Sequence, residues 1–348
     1  MHMQKLVERY AIILGYPLLA IVLALCLSSG LILAFGAQPT VAFRALLAGA
    51  FGSKNSLAET LLKATPLLLA GLGMCAAFTC RIWNIGAEGQ LYIGALAATV
   101  VGVHVHFSST AAAIPTLLLV SFLAGGCWAA IPGWLKGQFG VSEIITTIML
   151  NYIALFLISY AISAPLRDPK GYLPQSAALL EFAKLPVLLP KTRLHLGFVI
   201  AILGAVILYF IFVKTTLGYQ MRVVGQNPLA GKYGGMPVGR IILTAMLISG
   251  GFAGMAGMSE ITGVHHRLLE NISPGYGYTA IVVALLAYLH PLAVIFVSIL
   301  FAGLIVGADS MQRVAGLPAA LAYVVQGLIV LFVLGSEYFV KKRLQTSN

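Results

Sequence analysis

The chain has 348 residues, of which 60% are hydrophobic and only 9% charged. Soluble domains carry about 25% charged residues, so no soluble fold of this length hides so much apolar surface, and the solvent for most of the chain is lipid. The formal net charge of +11 does not point to nucleic acid, because the Lys and Arg residues stand singly between hydrophobic runs and form no basic stripe. In a membrane protein such residues anchor helix ends and contact lipid headgroups.

A membrane helix needs roughly 20 apolar residues. By that criterion the chain reads as all-α, a polytopic bundle of about ten transmembrane helices. Residues 1–10, with Lys5 and Arg9 ahead of an apolar run, look like the start of a signal peptide. The run at 11–35 is too long for a cleaved segment and lacks a clear small-residue cleavage site, so it reads as the first span. Further spans are expected at 57–79, 87–103, 111–131 and 141–163. Residues 164–194 hold Pro165, Pro169, Pro174, Pro186 and Pro190. Proline removes backbone donors and breaks helices, so this is an ordered loop or a pair of short helices outside the membrane. Spans are then expected at 195–213, 240–262, 276–289, 291–308 and 317–339, with a polar segment at 214–239. Residues 1–348 read as a single transmembrane domain. An even number of spans puts both termini on one side. Lys5, Arg9 and Lys341-Lys342-Arg343 put that side in the cytoplasm. Segment 214–239 is then cytoplasmic and loop 164–194 external.

Several spans are rich in glycine: Gly71, Gly73, Gly86, Gly89 and Gly94 early on, and Gly250, Gly251, Gly254 and Gly257 later. Small residues let helix backbones approach closely in lipid, and glycine-broken helices also open backbone groups to a water-filled path. The sequence leaves both readings open. A faint internal echo accompanies them. Asn84-Ile85-Gly86 leads into one span and Asn271-Ile272-Ser273 into another. In the expected topology the two lie on opposite sides, as in inverted-repeat halves.

Ionisable groups inside a membrane are costly, so each is a functional candidate. They are Glu88, Glu143, Glu260 and Asp309. Glu88 lies in the dense polar run Asn84–Gln90 and either meets solute or holds a broken helix end. Glu143 opens a span, where the helix dipole alone would stabilise a carboxylate. Glu260 and Asp309 fall near the outer interface. Catalytic signatures are missing: there is no Gly-x-Ser-x-Gly, no His-Glu-x-x-His and no phosphate-binding Gly-x-x-x-x-Gly-Lys-Ser/Thr. His104 and His106 have no third ligand nearby, and Cys26, Cys75, Cys80 and Cys127 sit in or beside apolar runs as buried free thiols. We therefore expect no catalytic residue, no metal and no cofactor in this chain.

The polar segment 214–239 is the most informative. Asn227-Pro228 is a helix start, because Asn caps and Pro takes the first helical position. Gly234-Gly235 ends it. A helix of about two turns is too short to be stable alone. It should be held by a partner protein and would transmit a push from a cytoplasmic motor.

With these residues in view, the chain resembles permeases of the branched-chain amino acid, ribose and nucleoside group of ABC importers. The coupling segment carries the resemblance, as does Arg81-Ile82-Trp83-Asn84-Ile85-Gly86-Ala87-Glu88-Gly89-Gln90, which looks like the nucleoside and simple-sugar branch. The blocks at 141–152, 249–263 and 275–286 agree. Trp83 stands where relatives commonly have Phe, and Gly231 where they have alanine. The resemblance implies an all-helical bundle with inverted halves. It implies a second permease subunit, a separate ABC ATPase that uses ATP-Mg, and a solute-binding protein or lipoprotein. By position, Gly225, Asn227, Pro228, Ala230, Tyr233 and Gly235 would lie at the ATPase interface. Asn84, Glu88 and Gln90 would line the translocation path, with Glu143, Tyr276 and Tyr278 as further candidates. Tyr276 and Tyr278 are suited either to stacking on a base or to packing. The alternative is a secondary transporter or channel driven by an ion gradient through its membrane carboxylates. A membrane-embedded transferase would want clustered acidic or histidine residues that the sequence lacks.

Overall fold

The structure, a computed structural model, describes residue 16, residues 19–20 and residues 22–346. Residues 1–15 fall outside it, so the start of the expected first span and the anchors Lys5 and Arg9 lie outside the described residues. What remains of that span is α1, Val22–Ala34. Gly36 then takes a left-handed conformation (φ 75°), and Pro39 opens α2, Pro39–Phe51, bent by 118° from α1. The α1–α2 bend follows from Gly36 and from proline's fitness for the first helical position.

The remaining helices follow the apolar runs closely. They are α3 (Lys54–Thr79), α4 (Ala87–His104), α5 (Thr110–Phe139), α6 (Glu143–Ser163), α7 (Gly197–Lys214), α8 (Thr216–Gln226), α9 (Pro228–Tyr233), α10 (Val238–Glu260), α11 (Tyr276–Leu286), α12 (Pro291–Ala315) and α13 (Ala319–Thr346). Among the described residues, six helices are long and apolar enough to cross a membrane, or up to seven if α1 and α2 make one crossing. The chain is thus a multi-pass membrane protein. Helices α4 and α11 fall short of that test. The first mixes Glu88, Gly89 and Gln90 into its opening turn, and the second has only 11 residues.

The chain divides into two compact units, one of residues up to Thr60 with those from Ala302 on, the other Leu61–Phe301. In the first unit Ile32, Ala42, Leu46, Met311, Leu321 and Val325 form a core. In the second, α10 packs along α5 and α4. The contact is backbone on backbone. A β-carbon on Gly94 would collide with Gly254, and one on Gly125 with the Gly250 carbonyl. Without side chains in the way, dispersion contacts replace the hydrophobic drive that lipid does not supply. At these glycines the packing reading holds.

Helix α10 runs on into a π turn, Ile261–His265, closed by His266 in the left-handed region (φ 54°). The proline-rich segment 164–194 is ordered along this end. Leu179 N donates to the His266 carbonyl (3.0 Å) and Leu185 N to the Thr262 carbonyl (2.9 Å), and Arg267 Nη1 pairs with Asp168 Oδ2 at 2.9 Å.

Candidate functional site: two helix starts that meet at Glu88

Every helix start leaves backbone N–H groups without intrahelical partners, and an unpaired polar group in lipid costs several kcal/mol. The turn before α4 answers this with side chains. Asn84 is fully buried. Its Nδ2 donates to Gln90 Oε1 (2.9 Å) and to Ser249 Oγ on α10 (2.8 Å). Its Oδ1 accepts from Gln90 Nε2 (2.9 Å) and Gly86 N (3.1 Å). Both donors and both lone pairs of the amide are used. On α6, Asn151 does the same work from the other side: Oδ1 accepts from Gly89 N (2.8 Å), while Nδ2 donates to the Ile85 carbonyl (2.9 Å) and the Tyr278 hydroxyl (3.2 Å).

Helix α11 starts against α4. Gly275 is left-handed (φ 93°), and Ser273 Oγ accepts from Gly275 N (3.2 Å) and Tyr276 N (2.9 Å). The next amide, Gly277 N, donates to Glu88 Oε2 at 2.7 Å. Glu88 is 4% exposed, so this bond spans two broken-helix starts inside the protein. Gly277 lies directly on the Glu88 backbone, leaving no room for a β-carbon.

Asn84, Glu88, Gln90, Tyr276 and Tyr278 are therefore brought together, Tyr276 buried and Tyr278 half-exposed. Glu143 stands apart. Its Oε2 pairs with Lys136 Nζ at 2.9 Å, and it reaches the cluster only through Trp83 N, 3.4 Å from Oε1. It ties the end of α5 to the start of α6 and to the turn before α4. Asn151, Ser249 and Ser273 complete the site and were not singled out from sequence. Asn151 carried a usable signal, a side-chain amide midway along a largely apolar span; Ser273 was visible only as the last residue of the echoing tripeptide, and Ser249 carried none.

The polar segment 214–239 lies elsewhere in the same unit. Thr215 Oγ1 accepts from Gly218 N (3.4 Å) to cap α8, and Arg222 Nη1 donates to the Phe212 carbonyl (2.5 Å). Asn227 Oδ1 accepts from Leu229 N (3.0 Å) and Ala230 N (3.2 Å), capping α9 with Pro228 at its first position. Leu229 and Tyr233 are exposed, Tyr233 almost wholly. Gly235 is left-handed (φ 75°) and ends the turn. Gly225 faces inward instead, against the Thr79 carbonyl at the end of α3.

A multi-pass bundle with a polar joint of helix starts in its interior and a capped helix exposed between two spans has the parts of a membrane transport component. The chain belongs to the family described as branched-chain amino acid transport system / permease component, whose model matches residues 56–334. It is 39% identical over 330 residues to the guanosine ABC transporter permease protein NupP of Bacillus subtilis, covering 92% of each chain. It is 36% identical over 339 residues to the glucose ABC transporter permease protein TsgB13 of Haloferax volcanii, covering 94% of this chain and 89% of the relative. It is 32% identical over 326 residues to the nucleoside ABC transporter permease protein NupB of Lactococcus lactis, covering 91% and 89%. No solved structure gave a significant match.

Proposed function

We propose that this chain is the transmembrane permease of an ATP-binding cassette importer that carries nucleosides or simple sugars into the cytoplasm. The observation that carries the reading is the exposed, Asn227-capped helix α9 in a chain whose relatives at 32–39% identity are named nucleoside, guanosine and glucose ABC transporter permeases. A helix of 6 residues is too short to persist alone, and one fixed between α8 and α10 is suited to receive a push from a docked ATPase.

In this reading ATP-Mg is hydrolysed on a separate subunit, and the chain itself holds no cofactor. The contact would run through Asn227, Pro228, Ala230, Tyr233 and Gly235 on α9, with Gly225 holding α8 to α3 behind it. A second permease, the same chain or another, completes the pathway, and a solute-binding protein or lipoprotein delivers the solute. Residues 1–348 act as one permease domain with both termini cytoplasmic. Its crossings approach ten when the short helices α4 and α11 are counted as parts of broken spans. The meeting of the α4 and α11 starts supports inverted halves, since each is preceded by one of the two echoing tripeptides. Asn84, Glu88 and Gln90 then shape the path by holding the joint, with Tyr278 beside it.

The test is uptake of radiolabelled nucleosides and glucose into vesicles holding this chain with its co-expressed ATPase and binding protein. Uptake that requires ATP and survives an uncoupler is the expected result. Uptake indifferent to ATP and abolished by the uncoupler would mean a gradient-driven carrier and would overturn the proposal.

A further inference from the structure

The end of the second unit that carries segment 164–194 holds an open cavity of about 470 Å³, inside the roughly 300–1,000 Å³ usual for small-molecule sites. One wall is the close of α10 and its π turn, which bring Glu260 and His265 to the surface of the cavity. Single π turns within α-helices occur frequently at functional sites, because one extra residue re-aims the side chains that follow. Here the turn fits because Gly263 lies flat on the His195 ring, where a β-carbon would clash. Lys63 from α3, Arg193, Asn271 and Ser273 line the cavity as well. Ser273 also caps α11, so the cavity ends against the joint that Glu88 closes.

The Glu260 carboxylate is 6% exposed and stands 3.6 Å from His265 Nε2, an ion-pair spacing too long for a hydrogen bond. An ionised carboxylate has about four lone-pair sites, more than that contact uses. Lys63 and Arg193 supply donors alone, and the Asn271 amide both donates and accepts. A lining that sets one acceptor-only carboxylate among donor-only cations rewards a ligand whose groups are donor and acceptor at once. Vicinal hydroxyls are such groups. A nucleobase would want an exposed aromatic face, and Tyr276, the ring at this wall, is 1% exposed. We infer that this cavity takes the sugar ring of the solute, with Glu260 accepting from its hydroxyls and Lys63 and Asn271 donating to them. The inference rests on the nucleoside or sugar reading above, and a hydroxylated ring is what a nucleoside and glucose have in common.

The full transporter, with binding protein and ATPase, is reconstituted in proteoliposomes. ATP-driven uptake of labelled guanosine is compared with that of 2′,3′-dideoxyguanosine, each at a concentration that saturates the binding protein, so that the ratio of rates reports on the permease. The wild type favours guanosine by about tenfold, the effect of a hydrogen bond to a charged group, and Glu260→Gln brings the ratio close to one. Transport of the dideoxy compound by the variant reports that it is folded and coupled. Should Glu260→Gln fail to accumulate in the membrane, the same ratio is taken for Asn271→Ala, on an exposed loop. A ratio unchanged by either variant, or a wild type that moves both compounds equally, overturns the cavity assignment while the importer reading stands. A wild-type complex that moves neither guanosine nor glucose overturns the solute class and this inference with it.

Discussion

Adding one methyl group at Gly277 tests the joint between α4 and α11 directly. A β-carbon there would fall hard against the Glu88 amide nitrogen, and lie 2.7 Å from Glu88 Cα and 2.8 Å from the Ala87 carbonyl carbon, where ordinary contact starts at 3.4 Å. All three obstacles are backbone atoms, so no rotamer change relieves them. The helix starts would have to part by about 1.1 Å, which stretches the 2.7 Å bond from Gly277 N to Glu88 beyond hydrogen-bond range. Overpacking of this kind costs about 1–3 kcal/mol, and leaving the buried Gly277 amide without its partner about 1–3 kcal/mol. Gly277→Ala should therefore destabilise the protein by roughly 2–6 kcal/mol. It should unfold at lower temperature in detergent, and ATP-driven uptake should drop steeply even at matched amounts in the membrane. A variant with wild-type uptake and an unchanged thermal midpoint would refute the joint as a constraint on the fold.

The same substitution at Gly231 should act in the opposite direction. A β-carbon there would meet Val224 Cγ2 at 3.4 Å, Val238 Cγ2 at 3.7 Å and Val223 Cγ1 at 3.8 Å, all ordinary contacts, so Gly231→Ala should firm up α9 by about 0.5–1 kcal/mol, read as a higher thermal midpoint; a lower one would contradict the packing described. Asn227→Ala should remove the α9 cap at a cost of about 1 kcal/mol, lowering ATP-driven uptake while membrane insertion stays intact; unchanged transport would remove the case for coupling through α9. Stability should also fall in acid through His195, just ahead of α7. Burial, with His266 close by, pushes this imidazole down to about 4, whereas the unfolded chain protonates near about 6.5. The unfolded form thus takes up a proton that the folded form refuses. The contribution is whole above about pH 6.5 and is lost progressively as pH falls toward 4, by about 3 kcal/mol at most. Thermal midpoints across that range should be flatter in His195→Asn, and equal slopes would exclude His195 as the cause.

Much of the bundle was legible because lipid imposes one rule on every span. Helices α3, α6, α7 and α10 begin and end within a few residues of the ends of apolar runs, since a helix there stops where water or a breaker starts, whereas α5 runs on past the expected end at 131 to Phe139. Helix α2 was missed for the same reason: its 13 residues are too few for a span, and its bend depends on Gly36. The α9 cap was legible because it is local, Asn227 binding amides two and three residues on. The polar run at Asn84–Gln90 was visible as an anomaly, but its partners were not. Gly277 lies 189 residues from Glu88 and Ser249 lies 165 from Asn84, and no periodicity encodes such pairings. Glu143 looked like a path residue because its neutraliser, Lys136, is hidden from a linear reading by the left-handed turn at Gly140. His265 owes its place at the cavity beside Glu260 to the π turn Ile261–His265, which no sequence pattern announces.

The glycine contacts along α10 also determine how far a small rotation travels. Side chains absorb strain by changing rotamer, but main chain seated on main chain has no such slack, so α10 and the helices it touches must tilt as one lever. At about 1.5 Å per residue, the 23 residues of α10 make an arm of about 35 Å. A turn of about 5° at the α9 end then displaces the π-turn end by about 3 Å, comparable to the length of the one hydrogen bond that joins Glu88 to Gly277. A swing of a few degrees is thus large enough, at the far end of the arm, to unlatch that bond or to close it.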